Sequence, residues 1–147
     1  MKIIQKNQLM KIICVCLFTF MGTIGMTGQS YNQSLLLQKE WKNQIPEKTF
    51  FTIYLFTNTE WVVKEFVNNG VKTDIGLERS YYLSDEIVDQ FQPGCVGKNK
   101  RGKYIITLTK PKFGEERLEV YEILELTKTT LKTKHMRSGT ILEYTTK

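Results

Sequence analysis

Three titratable side chains stand at strand positions that alternation would otherwise give to apolar residues. Glu65, Glu122 and His135 each lie an even number of residues from apolar neighbours, so in an extended chain they share a face with them. A charge on such a buried face costs several kcal/mol unless it is paired. These groups could therefore orient the polar end of a ligand or shift their own pKa values. The neighbours that define the faces are Trp61, Val63, Val120, Leu124 and Leu131.

One alternative would remove Glu122 from this set. A single β-bulge between Val120 and Ile123 would turn the Glu122 side chain to the outer face, because one inserted residue reverses the alternation. The sequence leaves both arrangements open.

Enzymatic chemistry has little support. His135 is the only histidine of the chain and has no recognisable catalytic neighbours. The sequence also lacks a cysteine pair at zinc spacing, a glycine-rich phosphate loop and a nucleophile elbow. We therefore expect a non-enzymatic protein with no catalytic residue, no cofactor and no metal site.

The basic stretch 98–103 could contact a phosphate backbone or an anionic glycan, or it could be a solvated hairpin loop. The formal charge is +6, but three of the 21 Lys and Arg residues precede residue 29, which leaves +3 (18 minus 15). This modest charge predicts no nucleic-acid partner. Cys95 is the only cysteine after residue 28, and it is either a partly buried thiol, a nucleophile or an intermolecular bridge.

The first 28 residues have the pattern of a secretory signal peptide. Lys2, Lys6 and Lys11 precede an apolar run at 12–26, and small residues follow. The run has about 15 residues, whereas a membrane-spanning helix needs about 20. We expect cleavage before Gln29, no transmembrane segment in the mature protein, and a periplasmic or extracellular location. One domain, 29–147, would remain.

The mature chain is rich in β-branched and aromatic residues, and the sequence contains no alanine. Turn signals such as Asn69–Gly70 recur about every 8–12 residues without intervening helices. This rhythm predicts an all-β fold, an antiparallel up-and-down β-barrel of about 8–10 strands. Residues 34–43 read as a helical turn leading into a strand, and 85–91 is ambiguous between a helical turn and a strand. The predicted strands are 49–56, 61–67, 71–77, 80–84, 104–109, 117–126, 130–136 and 140–146.

Alternation also predicts which residues line the barrel interior. If one face of each strand is apolar and inward, the interior forms a ligand cavity or, as the alternative, a packed core without one. The residues assigned to the inner face are Trp61, Val63, Tyr104, Ile106, Leu108, Leu118, Val120, Leu124, Leu142 and Tyr144.

Several short segments occur in a familiar order: Leu36 with Trp41, 82–85, 96–98 running into 102–106, 123–127 with Leu131, and 141–147. With these features the chain resembles the small lipocalin-like domain proteins exported by Bacteroidetes-type bacteria. It differs from the lipocalin pattern in having Lys39 where a glycine is usual and in lacking a predicted C-terminal helix. The resemblance implies a barrel that holds a small apolar molecule. The expected ligand-binding residues are Trp61, Val63, Glu65, Tyr82, Tyr104, Ile106, Glu122, His135 and Tyr144.

Two functions remain open. The first is a non-enzymatic binding protein that holds a small apolar or amphipathic molecule. The alternative is a solid barrel that acts as a protein-interaction or inhibitor module at the cell envelope, with its protein partner unknown. The alternative predicts an exposed aromatic patch on the outer faces, for example Phe50, Tyr54, Tyr81 and Tyr121.

Overall fold

The structure is a computed structural model that describes residues 28–44, 49–73 and 77–146. The predicted signal peptide lies outside these ranges except for Gly28. In the described ranges, no helix has the length and apolar character needed to cross a bilayer.

β-Strands form almost all of the regular structure, in agreement with the predicted all-β class. Two 3-10 helices, Gln33–Leu35 and Pro93–Cys95, are the other described elements. The strands are β1 (Tyr31–Asn32), β2 (Glu40–Gln44), β3 (Phe50–Phe56), β4 (Trp61–Asn68), β5 (Val71–Thr73), β6 (Leu77–Ser84), β7 (Arg101–Gly102), β8 (Tyr104–Pro111), β9 (Arg117–Leu126), β10 (Thr130–His135) and β11 (Ile141–Thr146).

Nine strands form one antiparallel sheet in the order β5-β4-β3-β2-β11-β10-β9-β8-β6, while β1 pairs with β7. The sheet curls into a half-barrel. Its two long outer strands, β4 and β6, approach each other at one end. There Glu60 and Ser80 form an isolated bridge, and the Tyr81 N–H donates to the Thr59 carbonyl at 3.0 Å.

Most strand predictions agree with the structure, and the differences lie at boundaries. The predicted helical turn before the first strand is the 3-10 turn Gln33–Leu35, and β9 has the predicted bounds. The described residues of the predicted strand 71–77 belong to two strands, because Val71–Thr73 form β5 and Leu77 belongs to β6, while 74–76 lie outside the described residues. Residues 85–91, which were ambiguous, form neither a helix nor a strand.

The concave face of the sheet carries the main core, which is rich in aromatic rings. Trp61 stacks on Phe56 at 4.9 Å and meets Tyr121 edge-on at 5.1 Å between ring centroids. The N-terminal segment closes one end of this core, where Leu36 is fully buried and its carbonyl accepts from Trp41 Nε1 at 3.0 Å. The buried members of the core are Tyr31, Leu36, Trp41, Phe56, Trp61, Tyr81, Leu83, Ile105, Tyr121, Ile123, Leu126, Leu131 and Tyr144.

A second, smaller apolar cluster lies on the opposite face of β6, β8 and β9. It consists of the buried residues Tyr82, Ile106 and Val120. The segment between β6 and β7 covers this cluster, and therefore β8 and β9 bury apolar residues on both of their faces. The partly buried residues against it are Val88, Phe91, Cys95, Val96, Tyr104, Leu118 and Met136.

Two β-bulges reverse the alternation within long strands. In β4 the pairing with β3 passes from Val63 directly to Glu65, which leaves Lys64 as the extra residue. In β9 the pairing with β10 passes from Ile123 to Glu125, so Leu124 is the extra residue, and 39% of its surface is exposed. A residue beyond a bulge therefore points to the opposite face from the one that simple alternation assigns.

Candidate functional site

Arg79 of β6 places a cation on the concave face. It lies two residues before the fully buried Tyr81, so alternation in the strand directs both side chains to the core side. The guanidinium carbon lies 5.1 Å from the Trp61 ring centroid and 6.0 Å from that of Tyr54. Contacts of this kind stabilise a partly desolvated cation by about 0.5–2 kcal/mol. The two rings therefore hold Arg79 in place without neutralising its charge.

Glu119 of β9 supplies the nearby carboxylate, but two hydroxyl groups already occupy it. Thr109 Oγ1 donates to Glu119 Oε2 at 2.6 Å, and the Tyr121 hydroxyl donates to the same oxygen at 3.3 Å. Among the described residues, no carboxylate lies within ion-pair distance of Arg79. The Glu119 carboxylate thus accepts from two hydroxyl groups, whereas the Arg79 guanidinium has no carboxylate partner among the described residues.

Three buried nitrogen atoms of this region have no hydrogen-bond partner: Trp61 Nε1, Arg79 Nε and His135 Nε2. His135 lies opposite Tyr121 in the β9–β10 pairing, and their rings are 5.0 Å apart. The other ring nitrogen of His135, Nδ1, is 2.8 Å from Ser138 Oγ. Folded proteins satisfy at least about nine tenths of their buried polar groups, so these three nitrogens are exceptions to the general pattern.

Burial dominates the ionisation of the interior tyrosines. It raises the pKa of Tyr121, and the neighbouring Arg79 charge partly offsets this while Glu119 adds to it. Burial likewise raises the pKa of Tyr144 well above its ordinary value, with Tyr54 and Tyr121 adding to the effect and Arg79 opposing it. The interior hydroxyls are therefore neutral at physiological pH and available for hydrogen bonding.

A cleft of about 540 Å³ opens between β4 and β6, where the two strands are not bridged. It reaches Leu77 and Glu78, which immediately precede Arg79 in the chain. Val63 also lines it, and Val63 pairs directly with Tyr54. Arg79 and the Trp61 and Tyr54 rings do not themselves line the cleft. Its full lining is Val62, Val63, Leu77, Glu78, Lys110, Pro111 and Lys112.

Several of the sequence-predicted site residues come together on the concave face. Trp61 and Tyr144 belong to the main core, with their ring centroids 6.2 Å apart. His135 joins them through Tyr121, and Val63 lies at the edge of the cleft. Leu142 also packs against this core, as predicted. The placement agrees with the predicted inner face, and a role in ligand binding stays a prediction.

Four other predicted site residues lie elsewhere, and for three of them, Tyr104, Ile106 and Glu122, the assignment to the inner face is wrong. Ile106 and Tyr82 are core members of the second cluster, Tyr104 packs against it, and Glu122 pairs directly with Tyr104 across β8 and β9. The predicted inner residues Leu118 and Val120 lie there too, and Leu108 pairs with Leu118. Alternation grouped these residues correctly but could not tell which apolar face of β8 and β9 is concave.

Glu122 and Glu65 are engaged outside the concave face. Glu122 Oε1 accepts from Lys103 Nζ at 2.9 Å, and this hydrogen bond raises the pKa of Lys103. Glu65 pairs with Ile53 beyond the bulge, so it no longer shares a face with Trp61, and its Oε1 accepts from Lys72 Nζ at 2.7 Å. The bulge that the sequence allowed near Glu122 is absent there. The predicted inner residue Leu124 is itself the bulged residue of β9.

The predicted outer aromatic patch is also wrong. Tyr81 is fully buried and Tyr121 is 6% exposed, and both belong to the main core. Tyr54 packs against the same core, while the Phe50 ring lies 6.0 Å from that of Phe66. Three of these four residues, Tyr54, Tyr81 and Tyr121, therefore lie on the concave side.

Arg79 and Glu119 are the site residues that sequence reasoning missed. Each precedes a tyrosine by two residues, Tyr81 and Tyr121 respectively, and both tyrosines were assigned to the outside. A signal was present, since a charged residue in line with a large aromatic on a strand is the pattern that singled out Glu65.

The basic loop and Cys95 carry no comparable geometry. Lys98, Lys100 and Arg101 are exposed, as in a solvated loop, and Lys103 forms the ion pair with Glu122. Cys95 is a partly buried free thiol whose Sγ donates to Gln92 Oε1 at 3.3 Å. Across the part of the chain that the structure describes, no group of His, Cys, Asp and Glu side chains is arranged to hold a metal ion.

Comparisons of this chain with protein-family models, with curated proteins and with solved structures give no match.

Proposed function

We propose that this chain is an exported, non-enzymatic binding protein whose lipocalin-like barrel holds a small apolar or amphipathic molecule against its concave face. The export rests on the signal-peptide pattern of residues 1–28. Closure of the barrel would require β4 and β6 to approach along their whole length, beyond the Glu60–Ser80 bridge. A bound molecule between the two strands would fill the cleft that separates them.

The observation that carries this proposal is the set of buried nitrogens without partners beside an aromatic wall. Trp61 Nε1, Arg79 Nε and His135 Nε2 are all withdrawn from solvent. An unsatisfied buried donor costs about 1–3 kcal/mol, so a fold that retains two of them, Trp61 Nε1 and Arg79 Nε, gains from an acceptor that binds there. Binding sites for small molecules combine apolar walls with a few convergent polar groups, as this face does.

Native mass spectrometry of the protein, purified gently from the envelope fraction of its own host, tests the proposal. We expect an added small mass that is lost on denaturation. A bare monomer mass from every preparation would contradict the proposal, and a bare monomer that co-purifies with one protein at fixed stoichiometry would favour an interaction module instead.

The two tryptophans of the core provide a matched pair for this experiment. Both are almost completely buried, but Trp41 Nε1 donates to the Leu36 carbonyl whereas Trp61 Nε1 has no partner. We expect Trp61→Phe to lower the fraction of protein that carries the added mass. Trp41→Phe should lower the stability of the fold while that fraction stays unchanged.

A further inference from the structure

We infer that the molecule held on the concave face is an amphiphile with a carboxylate head group, which the Arg79 guanidinium receives between the Trp61 and Tyr54 rings. This inference rests on the proposed binding function and specifies the chemistry of its ligand.

Arg79 carries a permanent positive charge. A guanidinium stays protonated in proteins, so this half-buried side chain cannot relieve its desolvation by losing a proton. Its described contacts are the faces of Trp61 and Tyr54, and Nε is buried without a hydrogen-bond partner. A cation in this position gains most from an anion, and a carboxylate can accept two of its N–H groups in parallel.

The balance of donors and acceptors around Arg79 also favours a ligand with acceptor atoms. The acceptor nearby, the Glu119 carboxylate, is occupied by Thr109 and Tyr121. Arg79 Nε and Trp61 Nε1 lack partners and can only donate, whereas His135 Nε2 is an acceptor in the tautomer that donates Nδ1–H to Ser138 Oγ. Two buried oxygens on this side, Gln33 Oε1 and Thr133 Oγ1, also lack partners. A ligand that satisfies Arg79 and Trp61 together must present acceptor atoms, which a carboxylate offers in pairs.

The cleft between β4 and β6 could hold the hydrocarbon tail. Val62, Val63, Leu77 and Pro111 line it together with Glu78, Lys110 and Lys112. Lys110 is paired with Glu116, so Lys112 is the lysine of the lining that balances Glu78. The cleft volume of about 540 Å³ is within the range of small-molecule sites, about 300–1,000 Å³.

The test compares two probes of equal chain length, dodecanoate and dodecan-1-ol, by displacement of a fluorescent apolar dye from the purified mature protein. We expect the wild type to bind dodecanoate about ten-fold or more tightly than the alcohol, which corresponds to about 1.4 kcal/mol. Arg79→Gln should abolish this preference, and Arg79→Lys should restore part of it because the charge returns without the fork geometry. The control is Arg101→Gln, an exposed arginine of β7, which should keep the full preference.

The outcomes separate this inference from the function on which it rests. Equal binding of acid and alcohol by the wild type would overturn the carboxylate inference and leave the binding function intact. Binding of neither probe would contradict both. The wild-type comparison needs no variant, so the inference stays falsifiable even if Arg79→Gln fails to fold. An acid preference that survives in a folded Arg79→Gln protein would overturn the role of Arg79.

Discussion

The two faces of β8 and β9 are both apolar, yet they differ in how their polar atoms are satisfied. On the outer face, Ile106 and Val120 pack under the segment between β6 and β7, and Glu122 pairs with Lys103. On the concave face, Ile105 and Tyr121 lie in the main core, next to a cation and ring nitrogens that lack partners. The outer face is covered by a segment of the chain and keeps one buried polar atom without a partner, the Tyr82 hydroxyl, whereas the concave face keeps nitrogens of Trp61, Arg79 and His135.

This difference shows that apolar character alone does not locate a binding site. A face that is buried by its own loop needs no ligand to exclude water from it. A face that retains unsatisfied donors after folding gains from a ligand, because the free-energy cost of those donors falls when a ligand supplies an acceptor. The predictions below test whether the two faces differ in this way.

The largest effects are expected from truncating neighbouring isoleucines of β8 that point to opposite faces. Ile105 and Ile106 are both fully buried, so Ile105→Ala and Ile106→Ala should each lower the free energy of unfolding by about 2–5 kcal/mol. Only Ile106→Ala should also speed proteolytic cleavage within residues 85–100, because it weakens the packing of this segment on the outer cluster. Urea unfolding and limited proteolysis measure both quantities. Val71→Ala, at a residue that is 64% exposed, is the control and should change stability by less than about 0.5 kcal/mol.

A neutral effect of Ile106→Ala would mean that the outer face is not a buried cluster. Cleavage that accelerates equally in both variants would mean that the two faces do not unfold separately. Either result would remove the distinction between the faces.

Alkaline pH should weaken the concave side next. Burial raises the pKa of Tyr81 to about 12, whereas an unfolded tyrosine ionises near about pH 10. Below about pH 10 the hydroxyl is neutral in both states, and this contribution is intact. As the pH rises from about 10 to about 12, only the unfolded chain ionises, so the free energy of unfolding falls, by at most about 2.7 kcal/mol for this residue.

Urea unfolding of the wild type and of Tyr81→Phe across this pH range measures the effect. The variant loses the hydrogen bonds of the hydroxyl to Thr57 and Gln33, so it should be less stable at neutral pH. Its stability should, however, decrease less steeply with pH than that of the wild type. Equal slopes in the two proteins would contradict the predicted ionisation of Tyr81.

A smaller effect is expected where β7 passes the end of β6. A Cβ on Gly102 would overlap the backbone of Ser84, whereas a Cβ on Gly94 would meet no atom within 4 Å. Gly102→Ala should therefore cost about 1–3 kcal/mol, and Gly94→Ala should be nearly neutral. Thermal unfolding of both variants checks this, and similar melting temperatures would show that the backbones are not in close contact.

Comparable or smaller effects are expected from two glutamates of β9 on opposite sides. Glu119→Gln weakens the acceptor of Thr109 and Tyr121 inside the fold and should cost about 1–3 kcal/mol. Glu122→Gln removes a partly exposed ion pair with Lys103, and surface pairs of this kind contribute about 0–1 kcal/mol. Urea unfolding at neutral pH compares the two, and a larger loss for Glu122→Gln would place that residue in the interior.

The strands of the fold were largely predictable because local sequence patterns identify them. The Asn69–Gly70 turn, the absence of alanine and the alternation in β3 and β9 identify strands without any long-range information. The extent of closure was not predictable, because it depends on how β4 and β6, separated by the short β5, approach each other in space.

The site was predictable only in part. Trp61 and Tyr144 were placed on the concave side, since each lies in a strand with one clearly apolar face. Ile106 was misplaced because Ile105 is equally apolar, and only the covering segment decides which of them faces outward. Glu65 was misplaced because the bulge at Lys64 has no sequence signal that distinguishes it from a regular strand.

A crystal structure of the mature protein with bromine-labelled dodecanoate tests the central claim most directly. The account predicts the carboxylate within hydrogen-bond distance of Arg79, between Trp61 and Tyr54, with the bromine located by its anomalous signal in the cleft between β4 and β6. A ligand seated on the outer cluster of Tyr82, Ile106 and Val120, or no ordered ligand at saturating concentration, would contradict it.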